Sequence, residues 1–207
     1  KNMAIKIIGI GPGAIDYILP KANKEMENSD IILGYKRAIQ SISHITVPKK
    51  TINSFKELLD NINIYKNKTI AIVASGDPCF YGILEYIKNN IDREISVVPG
   101  ISSFQYLMSK LQKSWHGAYV GSLHGREADF QAITKNYCVS VWLTDLTHNV
   151  EYICAQLLLN KKTSYKIYVG ENLSYPDERI TEGSPDKLKA QSWSDLCVVV
   201  VEQNSDL

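Results

Sequence analysis

Short apolar runs alternate along the chain with segments whose apolar residues recur at helical spacing. Runs near residues 5–10, 30–33, 69–74 and 95–98 read as strands buried on both faces, and segments near 20–29, 54–64, 79–90 and 102–111 read as helices. That alternation predicts an α/β fold with a parallel sheet. After QKSWHG, residues 112–117, the pattern restarts, with strands near 118–122, 138–143, 165–170, 179–183 and 196–202 and helices near 127–135, 147–160 and 185–190. Two α/β lobes are expected, residues 1–113 and 114–207. In the second, YPDERITEG and DLCVVVVEQ place strands side by side without a full crossover helix, so that sheet is expected to be mixed.

Composition narrows the classes. A chain of 207 residues, 44% hydrophobic and 22% charged, has enough apolar side chain for a sizeable core. A formal net charge of +1 gives no global basic field, so no nucleic-acid partner is expected and any anionic ligand must be held by local clusters. Cys79, Cys138, Cys154 and Cys197 form no C-x-x-C pair and are read as buried free thiols of a reducing compartment. With no apolar run of membrane-spanning length and no signal-peptide pattern, a cytoplasmic protein without a membrane partner is expected.

The stretch IKIIGIGPGAIDYILPKA, residues 5–22, poses the specific question. Gly9, Gly11 and Ala14 satisfy the G-x-G-x-x-G/A pattern of a dinucleotide fold. In such a fold the helix starts inside the glycine loop, because its N-terminal N–H groups hold the pyrophosphate. Here Pro12 interrupts the loop and the first good helix start is Pro20. The acidic residue that would bind a ribose after the next strand is also missing, since Asp30-Ile31-Ile32-Leu33 runs into Gly34 and Tyr35.

Four loops follow apolar strands, where ligands of open α/β sheets bind. They are Gly11-Pro12-Gly13; Ser75-Gly76-Asp77-Pro78, in which Asp77 and Pro78 also suit a helix N-cap and first helical position; Pro99-Gly100-Ile101-Ser102-Ser103, whose serines also suit a cap; and SLHGR, where His124 and Arg126 flank Gly125. Each has a purely structural reading as a turn or cap. Their order and separation carry more.

Strand-GIGPG, strand-SGDP-FYG, strand-VPGISS and strand-SLHGR resemble the tetrapyrrole (corrin/porphyrin) methyltransferase family, and the resemblance extends to VGENLSYPDERITEG. It implies the two-lobed tetrapyrrole methylase fold of class III S-adenosylmethionine methyltransferases, with S-adenosylmethionine folded into a cleft between the lobes. Cofactor contacts carried over by position are Pro12, Ser75, Gly76, Asp77, Phe80, Ser102, Ser103, Leu143 and Leu173; relatives often have glycine where Leu173 stands. Within the family, SLHGR with GENLSYPDERI is most similar to members that methylate carbon 5 of cobalt-precorrin-7 in anaerobic cobalamin biosynthesis. A homodimer is implied. The carbon-15 methylating activity is expected on a separate subunit, because the chain ends after the carbon-5 module, and that subunit is a candidate for association.

Such a transfer needs no metal and no protein nucleophile; it needs positioning and desolvation. His124 is the candidate proton-transfer residue. The substrate's carboxylates call for local cations, and Arg126 is the first choice because guanidinium forms bidentate bonds to carboxylate. Gly11, Gly13, Tyr35 and Arg37 complete the expected substrate side, with Lys36 beside them; Lys49 and Lys50 read as a solvated surface pair. The alternatives are a metal-free precorrin methyltransferase, diphthine synthase, a ribosomal-RNA ribose methyltransferase, a nicotinamide-dependent oxidoreductase or a noncatalytic subunit.

Overall fold

The computed structural model describes residues 4–124, 128–160 and 163–204. The chain divides into two compact units, Lys1–Ser103 and Phe104–Leu207. The expected lobe boundary at 113/114 falls ten residues later, beyond the helix in which the units divide.

The first unit runs β1 (Ile5–Gly9), α1 (Pro20–Glu27), β2 (Ile31–Tyr35), α2 (Lys36–Ser41), β3 (Lys49–Ile52), α3 (Phe55–Ile64), β4 (Ile70–Ala74), α4 (Leu84–Asn90) and β5 (Ile95–Val98). Its five strands form one parallel sheet in the order β3-β2-β4-β1-β5. Alternate side chains of the apolar strands feed two cores, as the period of 2 requires. On one face Ile8, Ile32, Ala71 and Val73 pack with Ala22 and Met26 of α1 and Ala38 of α2; on the other Ile5, Ile7, Leu33, Ile70 and Ile72 pack with Leu58 and Ile62 of α3 and Ile87 of α4. Adjacent strands β1 and β4 therefore hand the chain to helices on opposite faces, which makes the edge beyond them a topological switch point.

Three features depart from the sequence expectations. The α2 helix and β3 strand were not anticipated. In β3 only Ile52 is fully buried, and Lys49 and Lys50, expected as a solvated pair, are half-buried in this edge strand with the Lys49 ammonium on the Ile45 carbonyl. An edge strand tolerates lysine and gives no apolar alternation to read. Finally, α4 begins at Leu84 rather than near residue 79, because the chain first folds back over Pro78: Tyr81 takes φ 50° and a Cβ on Gly82 would lie 2.4 Å from the Pro78 carbonyl oxygen.

The second unit continues with α5 (Ser103–Lys110), β6 (Tyr119–Ser122), α6 (Phe130–Asn136), β7 (Val139–Leu143), α7 (Val150–Leu158), β8 (Tyr165–Glu171), β9 (Arg179–Gly183), α8 (Pro185–Lys189) and β10 (Cys197–Gln203). The sheet order is β6-β7-β10-β8-β9; β6 and β7 are parallel and the remaining pairs antiparallel, the expected mixed sheet. Asp129 caps α6 through Ala132 N–H at 3.0 Å, and Asn149 caps α7 through Tyr152 N–H at 3.0 Å. One core gathers Trp142, Val199, Ile167 and Val169 from the sheet with Phe130, Val150, Ile153 and Leu157 from α6 and α7. Among the described residues no helix is long and apolar enough to cross a membrane.

The cysteine expectation holds for half the set. Cys154 and Cys197 are buried, whereas Cys79 and Cys138 are exposed. Cys79 follows Pro78 in the irregular turn and Cys138 precedes β7, so neither belongs to a buried run.

Candidate functional site

In the first unit, three of the four loops meet at the carboxyl edge of β4, β1 and β5. The Gly11 N–H donates to the Gly76 carbonyl at 3.3 Å and the Gly76 N–H to the Gly11 carbonyl at 2.7 Å, an antiparallel bridge directly over the switch point. A dinucleotide fold leaves a crevice there; this chain closes it with backbone. The helix that would face a pyrophosphate is replaced by a short 3-10 turn, Ile15–Tyr17, and α1 starts only at Pro20.

Asp77 ties the second loop to itself and to the third. Its Oδ1 accepts from Cys79 N–H at 2.7 Å and its Oδ2 from Gly100 N–H at 3.1 Å. The sequence reading of Asp77 as the cap of the following helix is thus corrected: that helix starts at Leu84, and the carboxylate makes an Asx turn and a cross-loop bond instead.

The glycines of these loops do different work. A Cβ on Gly9 would sit 2.6 Å from Gly100 N and 2.7 Å from Gly76 O, and one on Gly100 would sit 2.1 Å from Gly76 O, so both positions exist for close packing of the three loops. Gly11 combines φ 75° with a Cβ position 2.8 Å from Tyr17 O. Gly76 takes φ 68°, yet a Cβ there would meet only Ser102 Cα at 3.7 Å. Its backbone is therefore the open surface of the cluster, where a ligand can come close. Ser75 beside it is exposed, Phe80 is half-buried, Pro12 and Gly13 are buried, and Ser102 is buried just ahead of Ser103, the first residue of α5.

Tyr35 closes β2 at the same edge, partly exposed, and meets Phe55 edge-on at 6.2 Å; Phe55 in turn stacks on Tyr86 at 4.4 Å. Burial pushes the Tyr35 hydroxyl pKa above its usual value, with the neighbouring Tyr86 adding to the effect. The sequence reading missed Phe55 and Tyr86. Arg37 is half-buried in α2.

The second unit brings His124 and Leu143 to one sheet edge. Ser122 pairs with Leu143 across β6 and β7, and Leu123 N–H donates to the Leu143 carbonyl at 2.9 Å. His124 is exposed; its backbone N–H bonds Ser122 Oγ at 3.1 Å and its Nδ1 lies 3.4 Å from the Thr144 carbonyl. With a proton on Nδ1, Nε2 is left as the basic nitrogen. Thr144, unremarked in the sequence, is buried and anchors this edge through Oγ1 to the Cys197 carbonyl at 2.8 Å. Arg126, the expected carboxylate clamp, lies outside the described residues. Leu173 is buried, its Cδ2 only 2.7 Å from where a Gly170 Cβ would stand. Its side chain belongs to the core. No group of three or more His, Cys, Asp or Glu suited to a metal occurs among the described residues.

Comparison with known proteins gives this edge a context. Residues 4–189 match the family described as tetrapyrrole (corrin/porphyrin) methylases. A protein of Methanocaldococcus jannaschii, named as a probable cobalt-precorrin-7 C(5)-methyltransferase, is 37% identical over 98% of this chain and all of its own length. The cobalt-precorrin-7 C(5)-methyltransferase of Salmonella typhimurium is 28% identical over 85% of this chain and 88% of its own. The precorrin-6Y methylase structure from Archaeoglobus fulgidus superposes with a TM-score of 0.78 at 22% identity, covering 99% of this chain and all of that one. The Thermus thermophilus uroporphyrin-III C-methyltransferase, solved with S-adenosylhomocysteine, gives 0.78 at 18% identity over 96% of each chain.

Proposed function

The chain belongs to the tetrapyrrole (corrin/porphyrin) methylase family, and from that premise we propose that it transfers a methyl group from S-adenosylmethionine to carbon 5 of cobalt-precorrin-7 in anaerobic cobalamin biosynthesis. The observation that carries the reading is the 37% identity, spanning nearly this whole chain and the whole of a relative named for that reaction. Neither the closed switch point nor the delayed α1 suits a nicotinamide dinucleotide, which argues against the oxidoreductase reading.

The residues present fit the cofactor. Gly76 offers bare backbone on a loop whose shape is fixed from behind by Gly9, Gly100 and Asp77. Ser75, Gly76, Ser102 and Ser103 would hold the amino-acid end, with Pro12 and Phe80 as apolar walls; Leu143 and the main chain at Leu173 would take the adenine. Asp77 has both oxygens engaged by backbone N–H groups, so it serves by placing the loops. When bound, S-adenosylmethionine supplies an already activated methyl group.

The protein's own task is then placement and exclusion of water. Preorganised loops hold the reacting carbon at near-attack distance, an effect worth several kcal/mol, about 7–11 in the best intramolecular cases. Tyr35 and the glycine loop at Gly11 and Gly13 would face the macrocycle, and Arg37 and Arg126 would meet its carboxylates. His124, with Nδ1 turned to the Thr144 carbonyl, would receive a proton on Nε2. A homodimer, a cytoplasmic location and association with the carbon-15 methyltransferase belong to the same proposal. Thermal shift with S-adenosylhomocysteine and with NAD tests its cofactor half: stabilisation by the first alone is expected, and stabilisation by NAD alone would overturn it.

A further inference from the structure

Two non-glycine residues hold left-handed backbone within one turn. Asn172 at φ 45° and Ser174 at φ 71° flank Leu173 in the connection from β8 to β9. A side chain with a Cβ is strained in that conformation, so something must hold it there.

The holding groups are specific. Ser174 N–H donates to Glu178 Oε2 at 2.6 Å, and Glu178 Oε1 lies 3.4 Å from Lys110 Nζ on α5. The Tyr106 hydroxyl, also on α5, bonds the same carboxylate. Asn172 Nδ2 donates to Asp177 Oδ2 at 2.8 Å. At the foot of the turn, buried Glu171 accepts Ser194 N–H at 2.9 Å and pairs with the Arg179 guanidinium. The turn is thus latched to α5 on one side and to residues 194–196 on the other, where Leu196 O receives the Asn172 N–H at 3.3 Å. The Leu173 side chain is sunk against Gly170 and close to Leu107, so at this position only main chain is left to meet a ligand.

We propose that Glu178 is a positioning residue for the cofactor pocket: by bridging Ser174 N–H to α5 it locks the strained main chain of 172–174 in the arrangement that S-adenosylmethionine requires. This rests on the cofactor reading above. Burial pushes the Glu178 carboxyl pKa up, but Tyr106, the Ser174 N–H and Lys110 together hold it below its ordinary value, so the latch is charged at neutral pH.

Strain supplies the test, because glycine adopts φ near +70° without cost. The affinity for S-adenosylhomocysteine, KM for S-adenosylmethionine, kcat and Tm are measured for the native protein, Glu178→Ala, Glu178→Gln and the double variant Glu178→Ala/Ser174→Gly. Glu178→Ala is expected to weaken binding about tenfold and raise KM in step, with kcat at saturation within about twofold. Adding Ser174→Gly is expected to recover most of that affinity. Glu178→Gln, which keeps an acceptor for the Ser174 N–H, is expected to lose less and carries the comparison where Glu178→Ala does not fold. Native-like binding by Glu178→Ala, or a loss that Ser174→Gly does not recover, overturns the proposal. A native protein that binds no S-adenosylhomocysteine overturns the cofactor reading and this inference together, a result distinct from either of those.

Discussion

Asp77 and Gly100, 23 residues apart in sequence, are joined by a 3.1 Å hydrogen bond from the Gly100 N–H to the Asp77 carboxylate, whose other oxygen holds Cys79 N–H at 2.7 Å. One side chain therefore fixes both the internal shape of the loop after β4 and its distance from the loop after β5. Replacing it removes two charge-assisted bonds, each worth about 1.5–3 kcal/mol at most. Asp77→Ala is expected to lower stability by about 2 kcal/mol in chemical denaturation and to weaken S-adenosylhomocysteine binding at least tenfold by calorimetry. Asp77→Asn, with a single acceptor oxygen, is expected to fall between. Unchanged binding in Asp77→Ala would mean that the loop spacing does not matter to the ligand.

The glycines of this cluster are expected to separate folding from binding. Gly100→Ala drives a Cβ to within 2.1 Å of the Gly76 carbonyl and should cost about 3 kcal/mol or prevent folding. Gly76→Ala meets no atom closer than 3.7 Å and pays only for φ 68°, about 1 kcal/mol, yet places a methyl on the surface proposed to receive the cofactor. A folded Gly76→Ala protein with binding lost is the expected result. Gly117→Ala, at φ 76° with nothing within 4 Å, is the control, with a similar small stability loss and normal binding.

Acid sensitivity has a visible source at α1. Lys21 at 2.6 Å and Lys6 at 2.7 Å hold the Glu25 carboxyl at a pKa of about 2, against an ordinary 4.5. A carboxyl lowered in the folded state stabilises the protein above its unfolded pKa and loses that contribution as pH falls toward the folded one. Glu25→Gln is expected to cost about 1 kcal/mol at pH 7, a value discounted because Lys21 is largely in solvent. In urea titrations the deficit should shrink as pH falls from about 4.5 toward about 2.

Thiol chemistry should divide the cysteines two and two. Burial raises the Cys154 thiol pKa to about 12 and that of Cys197 to about 11, while Cys79 and Cys138 lie at the surface. Titration of the native protein with an aromatic disulfide is expected to modify Cys138 and Cys79 and to reach the other two only on denaturation. Cys79 should be the slower of the exposed pair, because local burial and Asp77 raise its pKa. Bound S-adenosylhomocysteine should slow Cys79 further, since it sits on the Asp77 turn.

The architecture was legible where burial wrote a strong pattern. Ile5–Gly9, Ile70–Ala74 and Cys197–Gln203 are runs that only a covered sheet needs, and Pro20 marks the start of α1 both in sequence and in structure. The edge strand Lys49–Ile52 was not legible, because a half-exposed strand bearing two lysines looks like a solvated loop. The loops stand out by their place after apolar strands and their expected roles come from the resemblance, but their division of labour was hidden. Asp77-Pro78 looks like a helix start, and only the folded chain brings Gly100 to its carboxylate. Asparagine tolerates a positive φ and serine does not announce one, and the contacts of Asp177 and Glu178 that hold Asn172 and Ser174 there come from outside the pair. Phe55 and Tyr86 join Tyr35 through tertiary packing that no local spacing encodes.

The most direct test of the central claim is mass spectrometry of the purified protein incubated with S-adenosylmethionine and cobalt-precorrin-7, with the modified carbon assigned by nuclear magnetic resonance. The predicted product gains one methyl group at carbon 5, in step with S-adenosylhomocysteine. A protein that binds S-adenosylhomocysteine but leaves cobalt-precorrin-7 unmethylated, or methylates it at another carbon, would contradict the proposed reaction.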